Sequence, residues 1–107
     1  MTVLVFEDNL MWSARLVQSL VALGHAPVVT TEIPDPCEAH VAILNLAAST
    51  FATLVPQLKE LGIYTIGHAG HKEKDLLELG REAGCDRIAT NSELTYKIEL
   101  LLNEAPG

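Results

Sequence analysis

Two acidic side chains, Glu7 and Asp8, stand together near the start of the chain. They follow directly on the apolar run Thr2–Phe6, whose β-branched residues predict a buried strand. Hard cations such as Mg²⁺ favour carboxylate oxygens, so the pair could bind a metal ion at the end of that strand. The structural alternative is that Glu7 faces water and Asp8 helps to cap the next helix.

Two histidines, His68 and His71, flank a glycine-containing loop that we predict at residues 67–71. Together with Glu7 and Asp8, His68 could form a mixed nitrogen and oxygen site for Zn²⁺ or another transition metal. An imidazole also changes charge near neutral pH, so His68 could respond to pH. Because a histidine pair in a loop is a weak pattern, two hydrated side chains are the simpler interpretation.

The sequence offers no other set of catalytic residues. Cys37 and Cys85 lie far apart without CxxC spacing, which favours two free thiols. No Ser–His–Asp arrangement is indicated, and residues 67–71 have neither a P-loop ending nor GxGxxG spacing. We therefore expect no enzyme, and no cofactor apart from a divalent ion at Glu7 and Asp8.

Composition narrows the class of protein. The chain has 107 residues, which fits one domain, and a net charge of −7 with its seven basic residues scattered. Nucleic-acid binding needs clustered Lys and Arg, so we expect no such partner. No apolar run reaches the roughly 18 residues of a membrane span, and no basic segment indicates a signal peptide. These features, with the free thiols, predict a cytoplasmic location.

Short apolar runs alternate with amphipathic ones, which predicts an α/β fold with a doubly wound parallel sheet. The predicted strands are Thr2–Phe6, Ala26–Thr30, His40–Leu46, Ile63–Ile66 and Arg87–Ala89. The predicted helices are Leu10–Leu23, Thr50–Leu61, Lys72–Ala83 and one from about Asn91 to Asn103. The domain thus spans residues 1–103, with a frayed tail at 104–107.

Prolines and apolar spacing refine three of these segments. Pro34 and Pro36 make Thr31–Ala39 a loop, so the second helix is short or missing. Pro56 favours a regular helix that begins near that residue. In the first helix, spacing predicts an inward face that includes Ala14, Val17, Leu20 and Val21.

Several segments resemble one family when they are taken in order. VFEDN, ALGHAPVV, HVAILNL and REAGCDRIATNSELTYKIELLL are similar to the opening, third strand and ending of bacterial response regulator receiver domains. The resemblance covers nearly the whole chain. It implies the flavodoxin-like (CheY-like) fold with strand order 2-1-3-4-5, and it implies a place in two-component, phosphorelay signal transduction.

The resemblance also implies that the phosphorylation site is degenerate. The acidic pair is present as Glu7 and Asp8, whereas the other family positions fall on Asn45 for the acceptor aspartate, Gly67 or His68 for the hydroxyl residue, Asn91 for the lysine, Ser92 for the proline and Ile88 for the switch aromatic. An amide is a poor nucleophile, so the acyl-phosphate reaction is not available at Asn45. The chain is interpreted as a pseudo-receiver.

Three functions follow as hypotheses. The first is a signalling module that binds a protein partner or forms a homodimer through the face at residues 72–102, which carries the charged residues Lys74, Glu78, Arg81, Arg87 and Glu93. The second is a metal- or ligand-responsive receiver that uses Glu7, Asp8 and His68. The third is a small flavodoxin-like ligand-binding protein or enzyme.

Overall fold

Five parallel strands form the centre of the computed structural model, which describes residues 1–106. The strands are β1 (Thr2–Phe6), β2 (Ala26–Val29), β3 (Val41–Asn45), β4 (Tyr64–Ala69) and β5 (Arg87–Thr90). The helices are α1 (Leu10–Ala22), α2 (Phe51–Glu60), α3 (Lys74–Ala83), α4 (Asn91–Tyr96) and α5 (Ile98–Asn103). The sheet order is β2-β1-β3-β4-β5, which confirms the predicted fold class.

Apolar side chains cover both faces of this sheet. On one face, residues of α1, α4 and α5 pack against the sheet around Val3, Val5 and Ile43. On the other face, α2 packs against the sheet around Leu4 and Leu44, with apolar residues of α3 beside it. Successive strand residues point to opposite faces, so each buried strand contributes to both clusters.

The segment between β2 and β3 contains no helix, as its prolines predict. Ile33, Cys37 and Ala39 from this segment are partly buried against the apolar cluster on the α2 face. The loop thus covers the part of the sheet where a second helix would otherwise pack. β2 is left as an edge strand whose residues are mostly exposed.

The first helix begins at Leu10 as predicted and ends at Ala22, one residue before the predicted Leu23, but it presents a partly different face. Asn9 caps it by accepting hydrogen bonds from the N–H groups of Met11 and Trp12. Its buried residues are Ser13, Leu16 and Leu20, whereas the predicted inward residues Ala14 and Val21 are exposed and Val17 is half-buried. Of the predicted inward residues, Leu20 alone is fully buried, so the prediction of the face was wrong in part.

The fourth strand is longer than predicted, which moves His68 out of the expected loop. β4 continues to Ala69 because it pairs on both sides, with β3 and with β5. Gly67 lies within it and faces the α2 side, where a Cβ atom would come 2.9 Å from a Leu46 methyl group. This pairing outweighs the weak strand preference of glycine.

Two predictions about helices were also wrong. α2 begins at Phe51, so Pro56 lies inside it, on an exposed surface where water can reach the carbonyl oxygen that lacks a partner. The single last helix is instead two short ones, α4 and α5, because the backbone at Lys97 leaves the helical region with φ −127°.

Two residues of the tail that we predict to be frayed contact the rest of the fold. Glu104 accepts a hydrogen bond of 2.9 Å from Arg87, and Ala105 packs against the core. Gly107 lies outside the described residues. Within residues 1–106, no helix has the length and hydropathy needed to cross a bilayer.

Candidate functional site

The carboxyl ends of the central strands bring four polar side chains together. Glu7 directly follows β1, Asn45 ends β3, His68 lies near the end of β4, and Asn91 follows β5. Asn45 and His68 are direct neighbours in the register between β3 and β4. Such strand ends are where doubly wound folds place their functional groups, and here the four side chains form one connected row.

The carboxylate of Glu7 is bound by the amide of Asn45. Asn45 Nδ2 lies 2.9 Å from Glu7 Oε2 and 3.1 Å from Oε1. The backbone N–H of Asn9 donates a further hydrogen bond of 3.2 Å to Oε2. Asn45 Oδ1 accepts a bond of 2.9 Å from the N–H of Ala47. Both ends of the Asn45 amide are therefore engaged within the chain.

The imidazole of His68 continues the row from Glu7 to Asn91. Its Nδ1 lies 2.8 Å from Asn91 Oδ1, within hydrogen-bond distance. Its Nε2 lies 3.4 Å from Glu7 Oε1. This nitrogen is fully buried and has no hydrogen-bond partner within residues 1–106. The ring itself is only 1% exposed.

Trp12 of α1 covers the outer side of this row. Its indole ring lies 5.7 Å from the His68 ring, centroid to centroid, at an interplanar angle of 47°. The guanidinium carbon of Arg15 lies 5.5 Å from the Trp12 ring centroid, within cation–π range. Aromatic contact and cation–π attraction thus hold a half-buried tryptophan over His68.

The electrostatics of the site favour an ionised Glu7. Burial alone would raise the pKa of this carboxyl group. The contact with His68, together with hydrogen bonds from Asn45 and the Asn9 N–H, outweighs burial and lowers the pKa below its ordinary value. Glu7 is therefore a buried, hydrogen-bonded carboxylate, and the predicted solvent-facing alternative for it is wrong.

Other residues singled out in the sequence lie apart from this row. Gly67 faces the opposite side of the sheet, whereas His68 faces the row. Ile88 packs with the α2-side cluster next to Gly80. Three further residues that the sequence analysis singled out are exposed, namely Asp8, His71 and Ser92. The row is accordingly made from Glu7, Asn45, His68 and Asn91 alone.

The metal-binding hypothesis gains no support from this geometry. Asp8 is exposed while Glu7 and His68 are buried, and Glu7 is already bound by two donors. Within residues 1–106, no group of three or more His, Cys, Asp or Glu side chains is arranged to hold a metal ion. The Cys85 thiol is no candidate nucleophile either, because burial raises its pKa to about 11.

Sequence reasoning missed the role of Trp12 and the connection between His68 and Asn91. A signal for Trp12 was present, because it shares helical spacing with the buried Leu16 and Leu20. The contact between His68 and Asn91 depends on the length of β4, which no local pattern fixes. Residue types alone therefore could not predict that these side chains form one row.

Comparison with known proteins identifies the fold of this chain. No family model matches the sequence, and no curated protein matches it. Solved structures do match. The receiver domain of the TMAO respiratory system response regulator TorR superposes with a TM-score of 0.79 at 20% identity, with 98% of each chain covered. The chain has the fold of a response regulator receiver domain.

Two further receiver-fold structures are described as orphan regulators. An orphan response regulator of H. pylori gives a TM-score of 0.73 at 18% identity, with 95% of this chain and 96% of that chain covered. An atypical orphan response regulator, described as having a phosphorylation-independent regulatory mechanism, gives 0.73 at 18% identity with 97% of each chain covered. At such identities the likeness is one of fold.

Proposed function

We propose that this chain is a receiver-like module of signal transduction that is not phosphorylated at the usual position and acts by binding other proteins. The observation that carries the proposal is the hydrogen-bonded contact between Asn45 and Glu7. Asn45 stands where the resemblance puts the acceptor aspartate, and its amide nitrogen donates to both Glu7 oxygens. An amide in that role offers no carboxylate oxygen for an acyl phosphate.

The rest of the row supports the same conclusion. A phosphoryl group brings a charge of about −1.5 to −2 that needs nearby cations. The family lysine is replaced by the neutral Asn91, whose oxygen is bound by His68. One of the similar solved structures is described as regulated without phosphorylation, and a regulator of that kind is what this arrangement favours here.

The proposed binding surface is the face at residues 72–102, although its charges are less available than the sequence suggests. Arg81 pairs with Glu78 at 3.0 Å, and Arg87 contacts both Glu93 and Glu104. Four of the five charged residues first assigned to recognition are therefore engaged within the chain. Two apolar side chains on this face, Tyr96 and Leu100, are 84% and 57% exposed. We propose that they contact a second copy or a protein partner.

Sedimentation velocity over a wide concentration range tests this function. We expect a dimer whose dissociation constant is the same with and without acetyl phosphate and Mg²⁺. Leu100→Ser should weaken it, whereas Leu61→Ser, a matched change at an exposed leucine of the α2 side, should not. A monomer at every concentration would refute self-association. A dimer that forms only with the phosphoryl donor would refute independence from phosphorylation.

A small-molecule binder is the second candidate, and one observation favours it. A half-open cleft of about 440 Å³ lies beside Asp8, Thr31, Ser49 and Thr50, a size in the range of ligand sites. Native mass spectrometry of the purified chain would show a bound molecule as added mass. A spectrum of the bare chain alone would count against this candidate.

A further inference from the structure

An open groove lies between α2 and the loop that joins β2 to β3, where no second helix packs. Its volume is about 370 Å³. The residues that line it include Ile33, Pro34, Asp35, Cys37, Gln57 and Glu60. The groove is separate from the row at the strand ends and from the face at residues 72–102.

Apolar surface accompanies this groove on the same side of the sheet. Val28 of the edge strand β2 is the register partner of Leu4, whose side chain belongs to the cluster on the α2 side. Val28 therefore faces the α2 side as well, and it remains 39% exposed. The loop itself is restricted by Pro34 and Pro36, so a partner need not order a flexible segment.

The charge around the groove is of one sign. Four exposed carboxylates lie on the two segments that form it, namely Glu32, Asp35, Glu38 and Glu60. Among the described residues, no Lys, Arg or His lines the groove. Lys59, the one base of α2, is paired with Asp86 at 3.0 Å. The groove therefore offers apolar contacts within an acidic rim.

We propose that this groove binds an amphipathic helix of a protein partner, with apolar residues on one face and Lys or Arg beside them. The helix packs along the groove in place of the absent second helix. Its apolar side chains enter the groove and its cations meet the carboxylates of the rim.

Two other occupants fit this surface less well. An extended strand added to the edge of the sheet would find only the four residues of β2, of which Pro27 has no N–H to donate. A second copy of the chain would bring a further net charge of −7 toward an acidic rim. A basic helix meets neither difficulty.

Fluorescence anisotropy with the whole chain and a synthetic peptide tests this inference. The probe is a labelled peptide of about 14 residues, with Leu at helical spacing and Lys beside them. The control peptide has the same residues in an order that gives no apolar face. We expect the chain to bind the amphipathic peptide about tenfold more tightly than the control. Equal dissociation constants, or no binding of either peptide, would overturn the inference.

Two identical substitutions locate the binding. Gln57→Lys places a cation in the groove and should raise the dissociation constant of the amphipathic peptide about tenfold. Gln18→Lys makes the same change at an exposed position of α1, on the opposite side of the sheet, and should change it less than about twofold. Equal effects of the two substitutions, or no effect of Gln57→Lys, would count against a site in the groove.

The half-buried thiol of Cys37 reports on the groove in the wild-type chain, so this measurement does not depend on the folding of a variant. Alkylation by N-ethylmaleimide is followed at each cysteine by peptide mapping. Cys85 serves as the reference, because burial raises the pKa of its thiol to about 11. The amphipathic peptide should slow the alkylation of Cys37 and leave that of Cys85 unchanged.

Two results of the alkylation experiment would contradict the inference. Bound peptide that leaves Cys37 as reactive as before would place the binding elsewhere. Protection of Cys37 that grows with protein concentration alone would make a second copy the occupant.

This inference goes beyond the proposed function and fails separately from it. A peptide that does not bind would leave both the dimer and the absence of phosphorylation intact. Uptake of a phosphoryl group, or a chain that stays monomeric, would refute parts of the proposed function whatever the peptide does.

Discussion

Single side chains decide what the site can do, through their own chemistry and through the contacts that surround them. The loss of acceptor chemistry at Asn45 follows from the amide itself. The burial of His68 does not follow from its type, because it depends on where β4 ends. Glu7 shows the same limit, since its hydrogen bonds come from Asn45, 38 positions along the chain, and from the Asn9 N–H.

Restoring the acid tests the fit of Asn45 to Glu7. Asn45→Asp replaces a donor to Glu7 with a second carboxylate, so repulsion and two lost hydrogen bonds should lower the free energy of unfolding by about 1–3 kcal/mol. Urea denaturation at neutral pH measures the change.

Gln18→Glu makes the same change of amide to acid at an exposed position of α1 and serves as the control. It should alter the free energy of unfolding by less than about 0.5 kcal/mol. An Asn45→Asp variant as stable as the wild type would show that the contact with Glu7 contributes nothing.

The lowered pKa of Glu7 predicts a dependence of stability on pH. A carboxyl group whose pKa is lower in the folded state stabilises the fold above its ordinary value of 4.5, and this is lost as pH falls through the lowered pKa. Stability measured in acid should therefore fall less steeply in Glu7→Gln than in the wild type. Asp86 and Glu93 also have lowered pKa values, so the wild type and Glu7→Gln should both lose stability in acid. The difference between their two slopes then measures the contribution of Glu7. Identical slopes would contradict the account.

Helices and strands were predictable where a local pattern decides them. The β-branched run gives β1, and the prolines keep the Thr31–Ala39 segment free of helix. Local patterns did not predict three features of the fold. These are the length of β4, the inward face of α1 and the break at Lys97 between α4 and α5. For β4, pairing with both neighbouring strands outweighed the local preference.

Gly80 of α3 provides a test of packing between elements. A Cβ atom there would lie 2.8 Å from methyl carbons of Ile88 and Leu46. Gly80→Ala should therefore lower the free energy of unfolding by about 1–3 kcal/mol through overpacking, although alanine is preferred in helices by about 1 kcal/mol.

The control is Leu79→Ala, the neighbouring position on the same helix, where the side chain is 47% exposed. In the same denaturation series, Leu79→Ala should lower the free energy of unfolding by less than Gly80→Ala does. A Gly80→Ala protein more stable than the wild type would show that α3 can move away from β5 at little cost.

At the scale of the whole molecule, fold and chemistry have separate causes. Two aliphatic clusters on the faces of the sheet hold the strand order, and neither needs the residues of the site. The receiver fold is therefore compatible with Asn45, His68 and Asn91 at the strand ends. At these strand ends, the side chains of Glu7, Asn45, His68 and Asn91 form one row.

Intact-mass spectrometry after incubation with acetyl phosphate and Mg²⁺ tests this account most directly. A receiver domain that has its acceptor aspartate serves as the positive control, and Asn45→Asp is run alongside. We expect no added phosphoryl mass on the wild type, and none on Asn45→Asp, because Asn91 still lacks the charge of the family lysine. A labile phosphoryl adduct on the wild-type chain would contradict the account.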